Sequence, residues 1–577
     1  MTKKTKLELT WPGKEDRPAL EPRILIEDPA KSYHAAERRD GDLFGNMLIK
    51  GDNLLALKAL EQDYAGRVQC IYIDPPFNTG EAFEHYEDGL EHSLWLGLMR
   101  SRLEILNKLL TASGTIFIHI DDNELGYLIV LADEIFGRKN RISVVSFKQS
   151  SVSGPKSRNP GVVSIGSYVL IYAADKSQWK NRNTFRPINR DPRYGQFILN
   201  YDLGYEQWKF VPLSQGIESV TGIPYKQWEE KAGKQLEKAL DDFVLRECKR
   251  VVQLVSVADK DVNENARAKL AESRLSPGVF RSERVGADDY YFSGGKQVAF
   301  YKSKVRDIDG RLTTSERISN IWDDLLSNNV HKEGGVRLPN GKKPEGLIKR
   351  CLELSTDPGD LVLDSFLGSG TTASVAHKMH RLWIGIELGD QADSLCLPRL
   401  KRVVDGSDQD GISKAVKWTG GGGFRYYTLA PSLLARDRWG NLVISDAYNP
   451  EMLAEAMCKH LGFAYAPSQD EADWWRHGQS SESDFLYVTT QSVTHDALKL
   501  LSEAVGPDRT LMICARAFAG AADVFANVTC RKIPATILTK CEWGRDDYSL
   551  NVAALPERAE DVPDAGPLFA TGERDRG

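Results

Sequence analysis

The sequence predicts an α/β protein, with a buried, mostly parallel sheet that is split by a long insertion and followed by a smaller α/β domain. Three observations predict it. Continuous apolar runs such as "VQCIYID", "GTIFIHI" and "LWIGIEL" read as strands covered on both faces. Intervening segments such as "SLWLGLMRSRLEILNKLL" place apolar residues at helical spacing. That rhythm stops near residue 141 and resumes near residue 340.

In order, residues 1–44 are polar and proline-bearing and read as an N-terminal arm. "MLIKGDNLLALKAL" is a strand, a Gly-Asp turn and a helix, with Asp52 placed to cap that helix. "NELGYLIVLADEIFG" is a helix ending at Gly137. Residues 141–335 mix basic loops, aromatics and one long polar helical stretch from about Gln227 to Val257, and read as an inserted domain. "DLVLDSFLGSGTTASVAHKMHRLWIGIEL" is strand, glycine turn, helix and strand, so residues 45–140 and 336–425 are two halves of one domain. Gly420 to Gly423 mark a flexible joint. In residues 426–554, "SDFLYVTT", "TLMICA" and "KIPATIL" are expected as strands of a C-terminal α/β domain. Residues 555–577 read as a disordered tail.

Bulk properties narrow the classes. The 577 residues are 41% hydrophobic and 27% charged, which fits a globular protein with a real core. No run of about 18 apolar residues suits a membrane span, and the N-terminus lacks the apolar centre of a secretory signal. Eight cysteines form no CxxC pair, so no structural zinc and a reducing, cytoplasmic setting are expected. Net charge is −6, yet residues 141–350 carry 36 Lys and Arg against 25 Asp and Glu. Within residues 141–190 the sole acid is Asp175, among nine basic residues. A basic region in an acidic protein suits contact with a phosphate backbone.

The turn in "LDSFLGSGTTA" lies between a strand and a helix. Gly368 and Gly370 let the backbone approach a ligand, and the helix N-terminus favours a negative group. Glu387 ends the next strand, where a carboxylate can accept from two ribose hydroxyls. The segment therefore reads as a nucleoside-cofactor site. Gly368, Gly370 and Ala373 also satisfy the dinucleotide fingerprint, so a nicotinamide-dependent oxidoreductase stays open at this point. No Lys follows the glycines, which excludes a Walker A loop.

"CIYIDPPFNTG" favours other chemistry. An exocyclic base amine is a poor nucleophile because its lone pair is delocalised into the ring. Hydrogen bonds from its N–H groups to Asp74 and to the Pro75 carbonyl favour a tetrahedral nitrogen. Phe77 offers a flat face for a base rotated out of a duplex. Such a transfer to a sulfonium methyl needs no covalent intermediate, and rests on positioning and electrostatic preorganisation.

With these residues stated, "DPPFNTG" resembles the DPPY motif of amino-methylating DNA methyltransferases, and "DSFLGSGTT" resembles their FxGxG motif. The order of the motifs resembles the permuted β class. "IYIDPPFNTG", "HIDDNE" and "DEIFG" together are similar to the modification (Mod) subunits of type III restriction–modification systems. The resemblance covers about residues 46–140 and 340–390. It implies a circularly permuted, Rossmann-like S-adenosylmethionine-dependent methyltransferase fold with an inserted target-recognition domain. It implies methylation of adenine N6 in double-stranded DNA, cytosine N4 being the alternative; Asp74 favours adenine, since cytosine enzymes more often carry Ser there. A DNA-binding subunit without catalysis is a further alternative, against which the intact Asp74 and Phe77 stand. By position, Asp74, Pro75, Pro76 and Phe77 form the catalytic tip. Asp364, Phe366, Gly368, Gly370 and Thr371 line the methionine end of the cofactor, and Glu387 binds ribose. Asp52 accepts from the cofactor's adenine amine, and Lys343 and Pro344 lie beside the cofactor. Phe77 departs from the usual Tyr, which keeps stacking and loses a hydroxyl contact. The family also implies a homodimer and a helicase-nuclease restriction partner.

Two segments remain. In "HIDDNE", strand alternation divides the acids between faces, so helix capping by Asp122 or Asn123 is expected rather than a metal. In the insertion, Lys148, Lys156, Arg158, Lys180, Arg182 and Arg186 are the candidate phosphate contacts, giving affinity rather than sequence choice.

Overall fold

The computed structural model describes residues 8–78, 92–150, 161–180, 182–325, 330–338, 341–519, 524–533 and 548. The chain forms two compact units, one of Met1–Arg182 with Asn320–Gly577, the other of Asn183–Ser319.

The first unit is built on an 11-stranded sheet. Its central strands are β1 (Asn46–Lys50), β2 (Val68–Ile73), β3 (Leu110–Ile120), β4 (Arg141–Lys148), β5 (Gly166–Ala173), β6 (Leu361–Asp364), β7 (Leu382–Glu387) and β8 (Gly423–Leu429). Their order across the sheet is β8-β1-β7-β6-β2-β3-β5-β4. From β8 to β3 every pairing is parallel; β5 then runs antiparallel to both β3 and β4. Strands this buried read as unbroken apolar runs, and Val68, Cys70, Ile71 and Ile73 are all 0% exposed.

The register decides where the site forms. β6 and β2 are adjacent, with Val362 opposite Cys70 and Leu363 opposite Ile71. From that pair the chain continues to β7 on one side and to β3 on the other. The order therefore reverses between β6 and β2, and the crevice beyond the carboxyl ends at such a reversal is where α/β sheets bind ligands. Helices α1 (Asn53–Tyr64), α2 (His92–Leu109), α3 (Asp122–Ala132), α4 (Glu345–Ser355), α5 (Thr371–Lys378) and α6 (Leu397–Val404) belong to the same unit. Among the described residues no helix is long and apolar enough to cross a membrane.

The structure moves several expected boundaries. β4 and β5 pair into the main sheet, so the compact inserted unit begins at Asn183 rather than at residue 141 and ends at Ser319 rather than 335. It holds a six-stranded sheet whose pairings are all antiparallel. The long helical stretch expected over Gln227–Val257 is two helices, Tyr225–Ala232 and Leu236–Arg246, followed by a strand at Val251–Val255. Gly233, with φ of 50°, interrupts the helix, and the β-branched run "VVQLV" favours a strand.

The four glycines are not a flexible joint. Gly423 opens β8, and Gly421 donates to the Val404 carbonyl at 2.9 Å. A Cβ on Gly422, whose φ is 71°, would lie 2.7 Å from the Leu43 carbonyl oxygen. Glycine is there because the backbone is tightly packed. The N-terminal arm is likewise part of the sheet: Leu25–Glu27 and Tyr33–His34 both pair with β8. The C-terminal five-stranded sheet includes Asp484–Val493, Thr510–Phe518 and Val528–Lys532. Its last strand ends where "KIPATIL" was expected to begin one. Residues 534–547 and the tail expected over 555–577 lie outside the described residues.

Candidate active site

β2 ends at Ile73 because Pro75 and Pro76 cannot continue its ladder. The loop that follows is fixed from three directions. Trp95 of α2 donates its indole N–H to the Pro76 carbonyl at 2.9 Å. Asn78, held at φ 61°, donates to the fully buried Glu124 at 2.6 Å. Lys343 places its Nζ 2.7 Å from Asp74 Oδ2 and 4.8 Å from the centroid of the Phe77 ring. Asp74 Oδ1 is buried and has no hydrogen-bond partner among the described residues. Burial raises the Asp74 pKa, and Lys343 partly offsets that rise.

Behind this loop lies a buried polar relay. His119 on β3 meets the Tyr72 hydroxyl through Nδ1 at 2.8 Å and the Ser167 hydroxyl through Nε2 at 2.7 Å. Its ring centroid is 5.8 Å from that of Phe77. Burial, aided by the Lys343 charge, keeps the imidazole pKa well below its usual value, so it is neutral. The imidazole therefore backs the Phe77 ring without adding charge.

β6 delivers the second wall. Asp364 accepts from the Phe366 N–H at 2.9 Å and from the Thr372 hydroxyl at 2.6 Å, which fastens the glycine turn to its strand. Gly368 and Gly370 have φ of 58° and 77°, values that side chains other than glycine rarely adopt. The Gly368 N–H donates to Glu387 Oε2 at 2.6 Å. Burial pushes both Asp364 and Glu387 up to about 7.

Beneath the turn is a cluster of four buried charges. Lys378 lies 2.9 Å from both Glu345 and Asp408, and Arg399 lies 2.7 Å from Glu345. All four side chains are fully buried. Burial opposes ionisation of Glu345, but Arg399 and Lys378 outweigh it and hold its pKa low. Arg399 also donates to the Ser369 carbonyl at 3.2 Å and to the Thr371 hydroxyl at 2.8 Å. The charges thus brace the turn from below.

The two walls enclose one cleft of about 930 Å³, counting the part open to solvent. Asp74, Pro75, Pro76 and Phe77 line it at one side; Asp364, Phe366, Gly368, Thr371 and Glu387 line it at the other, and Lys343 lies among them. Three expected residues do not line it. Gly370 instead precedes α5 and packs toward Cys396. Pro344 sits at the start of α4. Asp52 caps α1 through the Leu55 N–H at 3.0 Å, and its other oxygen accepts from the Tyr548 N–H at 2.9 Å. Lys343 lines the cleft, but its ammonium reaches the Asp74 tip.

The basic candidates also divide. Arg182 is paired with Asp357 at 2.5 Å and Arg186 with Glu316 at 2.7 Å, so both serve internal ion pairs. Lys148 is half-buried at the end of β4, and Lys180 is exposed. Lys156 and Arg158 lie outside the described residues. The helix after "HID" is capped by Asp121, one residue before the expected Asp122 or Asn123. Among the described residues no group of three or more His, Cys, Asp or Glu could hold a metal ion.

Residues 68–395, more than half of the chain, match the N6/N4 methyltransferase family, described as DNA methylase. The chain belongs to the DNA methylase family. This methylase is 34% identical over 75% of its length to a Haemophilus influenzae protein named "Probable type III restriction-modification enzyme HindVI Mod subunit", of which it covers 60%. It is 28% identical over 61% of its length to the StyLTI Mod subunit of a type III restriction-modification enzyme from Salmonella typhimurium, covering 52% of that protein. The corresponding figures for the EcoP15I Mod subunit of Escherichia coli are 24%, 87% and 84%. The methylase thus spans between half and two thirds of the length of the first two relatives. A solved structure, the PvuII cytosine-N4-specific DNA methyltransferase, is 14% identical with a TM-score of 0.30, over 67% of this chain and 95% of that one.

Proposed function

We propose that the chain transfers a methyl group from S-adenosylmethionine to the N6 amine of an adenine rotated out of double-stranded DNA. One observation carries this reading: Asp74 and Phe77, on one strand end, share a single cleft with Gly368, Thr371 and Glu387, on the neighbouring strand ends. The cleft also suits the cofactor. Glu387 supplies a carboxylate at the turn, and the buried Asp74 Oδ1 has an acceptor position to spare. S-adenosylmethionine would supply an activated methyl on a sulfonium.

The chain's own residues do the rest. Asp74 and the Pro75 carbonyl accept the two N–H bonds of the target amine, which aims its lone pair at the methyl carbon. Methyl transfer to that lone pair would release the cofactor's thioether, and the surplus N–H proton would leave along the hydrogen bond to Asp74. Phe77 stacks on the base, and His119 keeps Phe77 in place. The rate gain comes from alignment and from acceptors fixed before the reaction.

The inserted unit is proposed to read the DNA sequence, and Lys148, Lys156, Arg158 and Lys180, which precede it in the chain, are the proposed phosphate contacts. A restriction subunit is a proposed partner, in keeping with the names of its relatives, and a second copy of the chain is proposed from the family resemblance alone. Base-resolved sequencing of modified DNA, from cells expressing this chain alone, tests the reading. N6-methyladenine within one sequence context is the expected result. Modified cytosine alone would transfer the chemistry to N4, and unmodified DNA would overturn both.

A pH dependence follows from Glu387. Its pKa of about 7 means that it is protonated below neutrality and can then accept fewer ribose hydrogen bonds. S-adenosylmethionine affinity is therefore expected to strengthen as pH rises from 6 to 8, and Glu387→Gln to flatten that rise; calorimetry at several pH values reads both. The stability contribution has the opposite sign. An acid with a folded pKa raised from 4.5 stabilises the fold most below 4.5, and that contribution is lost as pH rises through about 7.

A further inference from the structure

We infer that Lys343 is a resident stand-in for the target amine, holding the Asp74 acceptor and the Phe77 face until a base enters and displaces it. The inference rests on the amino-methyltransferase reading of the cleft.

A flipped base must make two contacts there: an N–H to the Asp74 carboxylate, and its ring against Phe77. Lys343 makes the cationic equivalent of both with one group, at 2.7 Å from Asp74 Oδ2 and 4.8 Å from the Phe77 ring centroid. An ammonium and a base ring cannot share that space. The side chain is 5% exposed, so its charge has been taken out of water and needs these partners. Among the described residues it also donates to the Gly341 carbonyl at 3.2 Å.

The local backbone suits a side chain that swings while its anchor stays still. Lys342 is held by the carbonyls of Glu333 and Val336. Pro344 then leads directly into α4. Between these fixed neighbours Lys343 carries a flexible four-carbon stem. Displacement also has an electrostatic consequence. Tyr72 on β2, His119 on β3 and Asp364 at the end of β6 lie close enough to Asp74 or Lys343 for mutual electrostatic influence. Tyr72 and His119 are neutral, and Asp364 adds a second acid. Lys343 is the cation that opposes the rise of the Asp74 pKa caused by burial. It thus favours the carboxylate form of Asp74, the form that accepts.

The test uses the full chain with sinefungin and a duplex carrying 2-aminopurine at the adenine identified by sequencing. Lys343→Met keeps the stem and removes the charge; Lys343→Arg keeps the charge. With the stand-in gone, Lys343→Met should raise the 2-aminopurine emission over wild type, the flipped-base equilibrium shifting by up to about thirtyfold, the scale of one desolvated cation–π contact. The acid limb of kcat/KM, which reports the free enzyme, should move to higher pH in Lys343→Met and stay near wild type in Lys343→Arg. Emission from Lys343→Met at or below wild type overturns the stand-in, whatever the pH limb does. A wild-type chain that methylates no DNA removes the underlying reading instead, so the two failures are distinguishable.

Discussion

Asp74→Ala abolishes methyl transfer and leaves S-adenosylmethionine affinity within about threefold of wild type. The expected loss in turnover is at least about 10³-fold, the upper scale for removing one fixed electrostatic partner of a transition state. Asp74 merits that value because one of its oxygens is the acceptor paired with Lys343 and the other is buried without a partner among the described residues. Cofactor affinity stays close to wild type because the glycine turn is fastened by Asp364, Thr372 and Glu387, none of which bonds to Asp74 in the structure. Labelled-methyl transfer to genomic DNA and calorimetry with the cofactor read the two halves of the prediction. Unaltered turnover would contradict the role given to Asp74.

Glu345→Ala destabilises the fold by about 3–5 kcal/mol, the usual penalty for removing one partner of a buried ion pair. Four fully buried charges balance two against two: Lys378 and Arg399 against Glu345 and Asp408. Without Glu345, Arg399 loses its ion-pair partner and Lys378 keeps only Asp408. Glu345 also accepts the Ile412 N–H at 3.0 Å, so a second buried donor is left without its acceptor. Cofactor affinity should fall as well, because Arg399 holds Ser369 and Thr371 in place. Thermal unfolding measures the first effect and calorimetry the second. A variant as stable as wild type would mean that water or a neighbouring acid compensates the cluster.

The sequence carried the strands and the two motifs plainly, because each is a contiguous pattern. An apolar run, a proline pair and a glycine turn are local facts about the chain. What was not legible is what one segment does to another. Arg182 and Arg186 look alike as basic residues, but Asp357 and Glu316 are too distant in sequence for their pairing to be anticipated. Lys343 could be placed near the site by resemblance, yet only the folded geometry puts its ammonium on Asp74 rather than on the glycine turn. Asp52 was legible as a cap, and its second bond, to Tyr548, links residues 496 positions apart. Gly420–Gly423 misled because four glycines in a row look loose in sequence, whereas here they fit between β8, Val404 and Leu43. Glu345 and Lys378 were missed for a related reason: a charged residue in a helix is ordinarily read as facing solvent. The one available signal was in α5, where Thr371–Ala376 are small or apolar on nearly every face and leave Lys378 nowhere to go.

The pairing of β2 with β6 has a consequence for synthesis. A ribosome that has released Asp74 has made an acid with nothing to aim at. Nearly three hundred further residues must emerge before β6 can lie beside β2, and Glu387 comes later still. A chain that stops before Leu361 therefore lacks β6 and the glycine turn, and the cleft cannot form until translation has passed Glu387 and the sheet has closed.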